Sequence, residues 1–206
     1  MPRTATVWIA IVTAAAWLLA TLFGLNETAA VALGFIPDRW SGAELLGPAA
    51  PAFLTPLTAT LVHADILHLI LNLIILLWCG SAVERVLGKG PVLLIYAVAA
   101  YTAAVAQWAV DPNGQVPMIG ASGAIGGIIG AFALSFGQQK RIVASPRLNR
   151  MLNALWLLAA WIVLQLMTGY LAGMQGVLLA TPAHVGGFLA GLLLQRPLLM
   201  WRYRSA

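Results

Sequence analysis

Six stretches of apolar sequence constrain the fold of this chain more than any other feature. Most of them approach the roughly 20 residues that an α-helix needs to cross about 30 Å of hydrocarbon. Only 8% of the residues are charged, against about 25% in a typical soluble domain. We therefore predict an all-α membrane protein, a bundle of six transmembrane helices. The predicted spans are residues 6–24, 66–83, 91–110, 122–137, 153–172 and 182–199.

The basic residues indicate how these spans are oriented. If the N-terminus lies inside, ten of the eleven Lys and Arg residues fall in inner segments, and only Arg39 lies outside. Cytoplasmic segments of membrane proteins carry such an excess, so we predict that both termini are cytoplasmic. The net charge of +5 then follows from topology. The predicted surroundings are a lipid bilayer, and no nucleic-acid partner is expected.

The chain is predicted to form one membrane domain over residues 1–206, with its core at about 53–199. Residues 25–57 form a long outer first loop, because several prolines interrupt it. Residues 138–150 are expected to be a basic inner loop. All eight tryptophans are expected to face lipid or the membrane interface.

Three polar side chains are predicted to share one depth in the membrane. His68 lies near the start of the second span, Ser122 starts the fourth, and His184 lies at the start of the sixth. These three spans run from outside to inside, so their first residues lie near the outer face. Asn72 follows His68 by one helical turn on the same face. Ionisable residues within spans are costly and are candidates for function.

The fourth span is short, which gives Ser122 a special position. The loop 111–121 must then descend before the helix begins, and irregular backbone at that depth is tolerated only in protein or beside water. We therefore expect Ser122 at the floor of an outward-facing, water-filled cavity. The first backbone N–H groups of a helix lack partners. The backbone N–H of Ser122 could therefore form an oxyanion hole together with His68 and Asn72. His184 is the candidate general base. Since no acidic residue is expected at this depth, a Ser–His dyad is predicted.

Pairs of glycines follow both Ser122 and His184. Small residues four positions apart let helix backbones approach closely in lipid. We therefore expect the fourth and sixth spans to pack tightly and to bring the two side chains together. The pairs are Gly123 and Gly127, Gly126 and Gly130, and Gly187 and Gly191.

Taken together, these motifs resemble the rhomboid family of intramembrane serine proteases. In the first motif, four residues lie between His63 and His68, and three residues lie between His68 and Asn72. The Glu84-Arg85 pair is similar to an acidic-basic pair of the family. The other two motifs are Gly120-Ala121-Ser122-Gly123, and Ala183-His184 followed by Gly187 and Gly191.

The resemblance implies a role for each matching residue. Ser122 would be the nucleophile, His184 the general base, and His68, Asn72 and the Ser122 N–H the oxyanion donors. The substrates implied are single-pass or multi-pass membrane proteins, cleaved in or beside a transmembrane helix, with no cofactor and no metal. The site would open to the extracytoplasmic side of a bacterial cytoplasmic membrane. Structural roles near the site are implied for His63, Gly120, Gly123 and Gly187.

Two positions depart from the family pattern. The family often has a Trp-Arg pair in the first loop, where this chain has Leu54-Thr55; Arg39-Trp40, in reversed order, lies upstream. The family also often has an aromatic residue four positions after the serine, on which the histidine stacks. This chain has Gly126 there, so other groups must support the first loop and position His184.

Other readings of these residues remain open. A non-catalytic rhomboid-like protein that binds transmembrane helices is the main alternative, although such proteins usually lose the serine or the histidine. A transporter or channel would need more polar groups deep in the spans. A metal site built from the three histidines is disfavoured, because no helix carries a His-Glu-x-x-His motif. The connection 173–181 is expected to cap the cavity.

Overall fold

A computed structural model of the protein describes residues 4–45, 47–136, 143–171 and 181–204. Apart from an isolated β-bridge between Phe35 and Met118, these residues form helices, turns and loops, as expected for an all-α protein. The helices are α1 (Ala5–Leu22), α2 (Asn26–Leu33), α3 (Pro37–Trp40), α4 (Thr55–Thr58), α5 (Ile66–Ile75), α6 (Ser81–Leu87), α7 (Lys89–Val110), α8 (Ser122–Phe136), α9 (Pro146–Leu171) and α10 (Thr181–Arg202).

Three of the described helices are long and apolar enough to cross a membrane: Ala5–Leu22, Ile66–Leu87 and Lys89–Val110. They coincide with the first three predicted spans. The second of them combines α5 and α6 through a π-helical turn at Leu76–Gly80. The fourth span corresponds to the shorter α8, and α9 and α10 cover the last two. The count of six crossings and the orientation stay predictions.

Helix α9 begins earlier than the sequence analysis expected. The prediction of an inner loop at 138–150 is wrong for residues 146–150, which form the first turn of α9. Ser145 caps this turn, because its Oγ accepts a hydrogen bond from Leu148 N at 3.4 Å. Pro146 suits the first helical position, where no N–H is needed. Residues 137–142 and most of the predicted cap at 173–181 lie outside the described residues.

Helices α8 and α10 approach each other with backbone against backbone. A Cβ added to Gly187 would overlap the carbonyl oxygen of Gly123, and one added to Gly191 would overlap that of Gly127. Helix α7 packs against the same pair, since a Cβ on Gly123 would lie 2.7 Å from Ala103 Cβ. The predicted tight packing of the fourth and sixth spans is therefore confirmed.

The N-terminal end of α1 is attached to α6 by one buried carboxylate. Glu84 accepts hydrogen bonds from Ala5 N and Thr6 N, both at 2.9 Å, and from Thr6 Oγ1 at 2.6 Å. These donors belong to the first turn of α1, where backbone N–H groups have no intrahelical acceptor and the helix dipole favours a negative charge. This contact joins the first helix to the bundle.

The first loop is held by the reversed pair that the sequence analysis noted. Arg39 Nη2 donates to the Ala50 carbonyl at 2.8 Å, and Trp40 Nε1 donates to the Ala52 carbonyl at 2.9 Å. Trp40 also packs its ring edge-on against Phe35. Arg39 and Trp40 therefore provide support for the loop at positions other than Leu54-Thr55.

The first loop is in turn tied to the segment that leads into α8. Phe35 and Met118 exchange both backbone hydrogen bonds, at 2.9 and 2.8 Å, and Gly120 N donates to the Ala59 carbonyl at 3.0 Å. These bonds hold the irregular residues before Ser122 against the first loop, which is the protein support that the predicted position at membrane depth would need.

Candidate active site

Ser122 and His184 lie side by side, although 62 residues separate them in the chain. The distance between Ser122 Oγ and His184 Nε2 is 2.9 Å. Ser122 is the first residue of α8, and His184 lies in the first turn of α10. Both side chains are buried, with 8% and 4% of their surface exposed. In the tautomer with the proton on Nδ1, Nε2 accepts the hydrogen bond from the serine hydroxyl.

The N-terminal turn of α8 supplies backbone donors beside this pair. Ile125 N donates to the Ala121 carbonyl at 2.9 Å, so the intrahelical bonds of α8 begin there. The N–H of Ser122 precedes this bond and belongs to the groups that have no intrahelical acceptor. A negative charge that develops next to Ser122 Oγ would also be stabilised by the helix dipole.

Besides Ser122, the ring of His184 contacts an aromatic side chain of α9. None of the hydrogen bonds between described residues joins a carboxylate to it, although all six acidic residues lie in the described part of the chain. The ring of Trp161, from α9, meets it edge-on with centroids 6.1 Å apart. The Ser–His dyad stays a prediction.

Trp161 lies in the core, contrary to the prediction from the sequence. It was expected to face lipid like the other tryptophans, yet only 4% of its surface is exposed and it belongs to the main apolar core. At the position where the family often has an aromatic residue, a Cβ added to Gly126 would lie 3.1 Å from the His184 carbonyl oxygen. The backbone of α10 therefore lies where a side chain at position 126 would begin, and the aromatic contact comes from α9 instead.

His68 packs over the turn that precedes Ser122. A Cβ on Gly120 would lie 2.7 Å from both Cε1 and Nε2 of the His68 ring, and Gly120 has a φ of +106°. Both facts require glycine at this position. Asp65 caps α5 by accepting a hydrogen bond from His68 N at 2.8 Å, which fixes the start of the helix that carries His68 and Asn72.

Asn72 is held by its own helix. Its Nδ2 donates to the His68 carbonyl at 2.8 Å, and only 1% of its surface is exposed. This bond orients the amide and leaves the second N–H of Nδ2 for another acceptor. Oδ1 is buried and has no hydrogen-bond partner among the residues described.

His63 supports the backbone beside the nucleophile candidate. Its Nε2 accepts a hydrogen bond from Ala121 N at 3.4 Å, and its ring meets that of His68 with centroids 4.9 Å apart. Burial, together with the neighbouring His68, lowers the pKa of His63 to about 3. The imidazole is therefore neutral and can act as the acceptor that this geometry needs.

The structure brings Ser122 and His184 into contact and places His68, His63 and Gly120 around the turn before Ser122. Gly123 and Gly187 lie where α8 and α10 touch. Among the residues described, no three His, Cys, Asp or Glu side chains are grouped so that they could hold a metal ion.

In comparisons with known proteins, the matches are to rhomboid proteins. Residues 51–201 match the family model described as the Rhomboid domain. The chain is 44% identical over 75 residues to the rhomboid protease GluP of Bacillus subtilis, a match that covers 36% of this chain and 14% of that protein. It is 31% identical over 135 residues to the rhomboid protease GlpG of Pectobacterium atrosepticum, covering 65% and 44%. It is 30% identical over 139 residues to RHOMBOID-like protein 5 of Arabidopsis thaliana, covering 68% and 42%. The matched regions thus span less than half the length of these curated relatives.

Proposed function

Because the chain belongs to the rhomboid family, we propose that this integral membrane protein is an intramembrane serine endopeptidase. Its substrates would be single-pass or multi-pass membrane proteins, hydrolysed in or next to a transmembrane helix. Relatives named as rhomboid proteases support a protease activity. The observation that carries the catalytic assignment is the 2.9 Å distance between Ser122 Oγ and His184 Nε2.

In the proposed reaction, His184 Nε2 takes the hydroxyl proton while Ser122 Oγ attacks the substrate carbonyl carbon. The oxyanion that forms accepts hydrogen bonds from the Ser122 N–H, His68 and the free N–H of Asn72. Collapse breaks the C–N bond, and the imidazolium gives its proton to the leaving amine. A water molecule, deprotonated by His184, then hydrolyses the acyl-enzyme and restores Ser122.

The proposed topology has six spans with both termini in the cytoplasm of a bacterium. The distribution of Lys and Arg supports this orientation. The cavity that the sequence predicts above Ser122 would then open to the extracytoplasmic side, from which water would reach the acyl-enzyme. Neither a cofactor nor a metal takes part in this mechanism, since a Ser–His pair and backbone donors suffice for acyl transfer.

The decisive test is covalent labelling of the purified chain with a fluorophosphonate probe, together with cleavage of a membrane-embedded reporter. We expect Ser122→Ala and His184→Ala to lower cleavage by at least about 10³-fold, and Ser122→Ala to abolish labelling. Ser135→Ala is the matched control, because Ser135 is a serine of the same helix that bonds to Gln195 instead. It should label and cleave like the unaltered protein.

Each outcome separates the protease from a non-catalytic helix-binding protein. A folded, unaltered chain that neither labels nor cleaves, yet still captures a transmembrane peptide, would favour the binding protein. Undiminished cleavage by folded Ser122→Ala would exclude Ser122 as the nucleophile. We also expect cleavage to fall in acid, because a general base must begin unprotonated.

A further inference from the structure

A groove lies at the end of the helices farthest from Ser122, where α8, α9 and α10 meet. Its volume is about 330 Å³. Its lining is almost entirely apolar, and two basic residues, Arg147 and Arg196, complete it. The apolar part consists of Leu134, Met151, Ala154, Leu155 and Leu192.

The groove is open because α9 packs differently from its neighbours. Helices α8 and α10 touch through glycines along their length, as Gly127 and Gly191 illustrate. By contrast, Met151 and Leu155 of α9 are each about half exposed, at 53% and 50%. These two side chains form the outer wall of the groove, so in a bilayer it would be open to lipid chains.

The charge at the groove is uniformly positive. No acidic residue lines it, and among the described residues neither Arg147 nor Arg196 is ion-paired with a carboxylate. The two arginines come from different helices, since Arg147 is in the first turn of α9 and Arg196 is near the end of α10. A ligand that satisfies both must carry a negative group at the membrane surface and an apolar portion below it.

We propose that this groove binds an anionic phospholipid of the adjacent leaflet. Its phosphate would lie between Arg147 and Arg196, which donate charge-assisted hydrogen bonds, and one acyl chain would lie along Met151, Leu155 and Leu192. Basic pockets between transmembrane helices are known to bind lipid headgroups in this way. The lipid would tie the first turns of α9 to α8 and α10. This binding does not depend on catalysis by Ser122.

The test is the thermal stability of the purified full chain in detergent, measured as lipid is added. Phosphatidylglycerol is compared with phosphatidylcholine of the same acyl chains and with glycerol phosphate, which lacks chains. We expect phosphatidylglycerol alone to raise the melting temperature. The double variant Arg147→Gln/Arg196→Gln should weaken its apparent affinity by about 30-fold, since each arginine near an anionic headgroup contributes roughly fivefold.

The matched control is Arg202→Gln/Arg204→Gln, which removes the same amount of charge at and just beyond the end of α10, the helix that carries Arg196. Both of these arginines lie outside the groove and are exposed. The control should bind phosphatidylglycerol like the unaltered protein. An equal loss in both double variants would overturn the proposal in favour of diffuse electrostatic attraction. A response to glycerol phosphate as large as that to phosphatidylglycerol would overturn the acyl-chain part.

A second variant tests the apolar part without removing charge. Met151→Trp adds bulk to the exposed wall, so it should fill the groove while the core stays intact. We expect its stability without lipid to be close to that of the unaltered chain, and its response to phosphatidylglycerol to be lost. A full response in this variant would show that the lipid binds elsewhere.

Discussion

At the scale of single residues, Asn72 combines a cost in stability with a free donor. Its oxygen is buried without a partner among the described residues, and such an atom costs roughly 1–3 kcal/mol. One N–H of its side-chain nitrogen donates a hydrogen bond to the His68 carbonyl. This bond fixes the direction of the second N–H. We infer that Asn72 contributes little to stability and that its value lies in the reaction.

We therefore predict that Asn72→Ala lowers kcat by about 10²–10³-fold, the usual effect of losing an oxyanion donor, with KM and thermal stability nearly unchanged. Steady-state kinetics on a reporter substrate would measure both constants. Asn149→Ala is the control. Asn149 is equally buried but bonds to the backbone of Val143, so its loss should lower stability and leave kcat unchanged. A change confined to KM in Asn72→Ala would contradict the oxyanion role.

Gly126 cannot regain the aromatic residue that the family often has there. Because its Cβ would lie 3.1 Å from the His184 carbonyl, we expect Gly126→Tyr to push α8 and α10 apart and to cost about 3 kcal/mol or more of stability. Thermal unfolding would measure this. Gly90→Tyr is the control, since a Cβ at Gly90 meets nothing within 4 Å. A stable, more active Gly126→Tyr would show that His184 lacks a positioning partner.

At the residue scale, the proximity of Ser122 and His184 could be predicted from the motifs that carry them, whereas the packing of side chains could not. The catalytic roles of Ser122, His184 and His68 stay predictions. The burial of Trp161 could not be predicted, because Trp156 and Trp161 lie on the same apolar helix and composition does not tell which of them faces the core. Trp156 is 73% exposed.

At the scale of helices, the attachment of α1 depends on Glu84. Three short hydrogen bonds converge on its carboxylate, and hydrogen bonds to charged groups contribute about 1.5–3 kcal/mol each. The pair Glu84-Arg85 was noticed in the sequence only through family resemblance. Its contact with Ala5 and Thr6 could not be predicted, because it joins residues that are 78 and 79 positions apart.

We predict that Glu84→Gln lowers the free energy of unfolding by about 2–3 kcal/mol, because the amide loses the charge that the N-terminal turn of α1 favours. An NH₂ group would also face a backbone N–H. Chemical or thermal unfolding in detergent would measure the change. Glu27→Gln, at an exposed acidic residue in the first turn of α2, should change stability by no more than about 0.5 kcal/mol. Equal effects would contradict the capping role of Glu84.

The approximate bounds of most of the long helices could be predicted from runs of apolar residues, because each run is flanked by polar or glycine-rich sequence. The short helices α2, α3 and α4 of the first loop were not predicted. The start of α9 was missed because Pro146 to Arg150 is polar. The dipeptide Ser145-Pro146 is a typical start of a helix, and this signal is stronger evidence for a helix than the polarity of the next residues is against one. The π turn at Leu76–Gly80 could not be predicted, since hydrophobicity is continuous through it.

At the scale of the whole molecule, the first loop and the loop before α8 form one connected support for the site. Arg39 and Trp40 close the first loop on itself, and Phe35 joins it to Met118. The chain from Met118 to Ser122 is only a few residues long. Disorder introduced in the first loop would therefore reach the nucleophile candidate.

We accordingly predict that Arg39→Gln lowers both the melting temperature, by about 2–4 °C per kcal/mol lost, and the cleavage rate several-fold. The loss of a charged hydrogen-bond donor accounts for both effects. Limited proteolysis within residues 41–50 should become faster. Arg204→Gln, at an exposed position near the C-terminus, serves as the control. If proteolysis of the loop became faster while cleavage of the reporter substrate was undiminished, the first loop would not be needed to support the site.

The membrane class could be predicted from composition alone, because so little charge cannot cover a soluble surface. The reversed Arg39-Trp40 pair shows what composition and motif order leave out. The same two donors support the loop from other positions, since a hydrogen bond requires a donor in the right place and not a fixed sequence number.

The π turn at Leu76–Gly80 has a consequence for how this chain tolerates deletions. It holds one residue more than an α-helical turn would, and Trp78 at its centre is exposed. Removing Trp78 would let the helix close its ordinary repeat without breaking. Because the π turn already accommodates the extra residue, the parts before and after the deletion would keep nearly the same rotation about the helix axis. With Glu84 still anchored to α1, His68 would therefore stay over the turn before Ser122. A one-residue deletion in α6 before Glu84 has no extra residue to absorb it and would rotate α5 by about 100°, which would turn His68 away from that position.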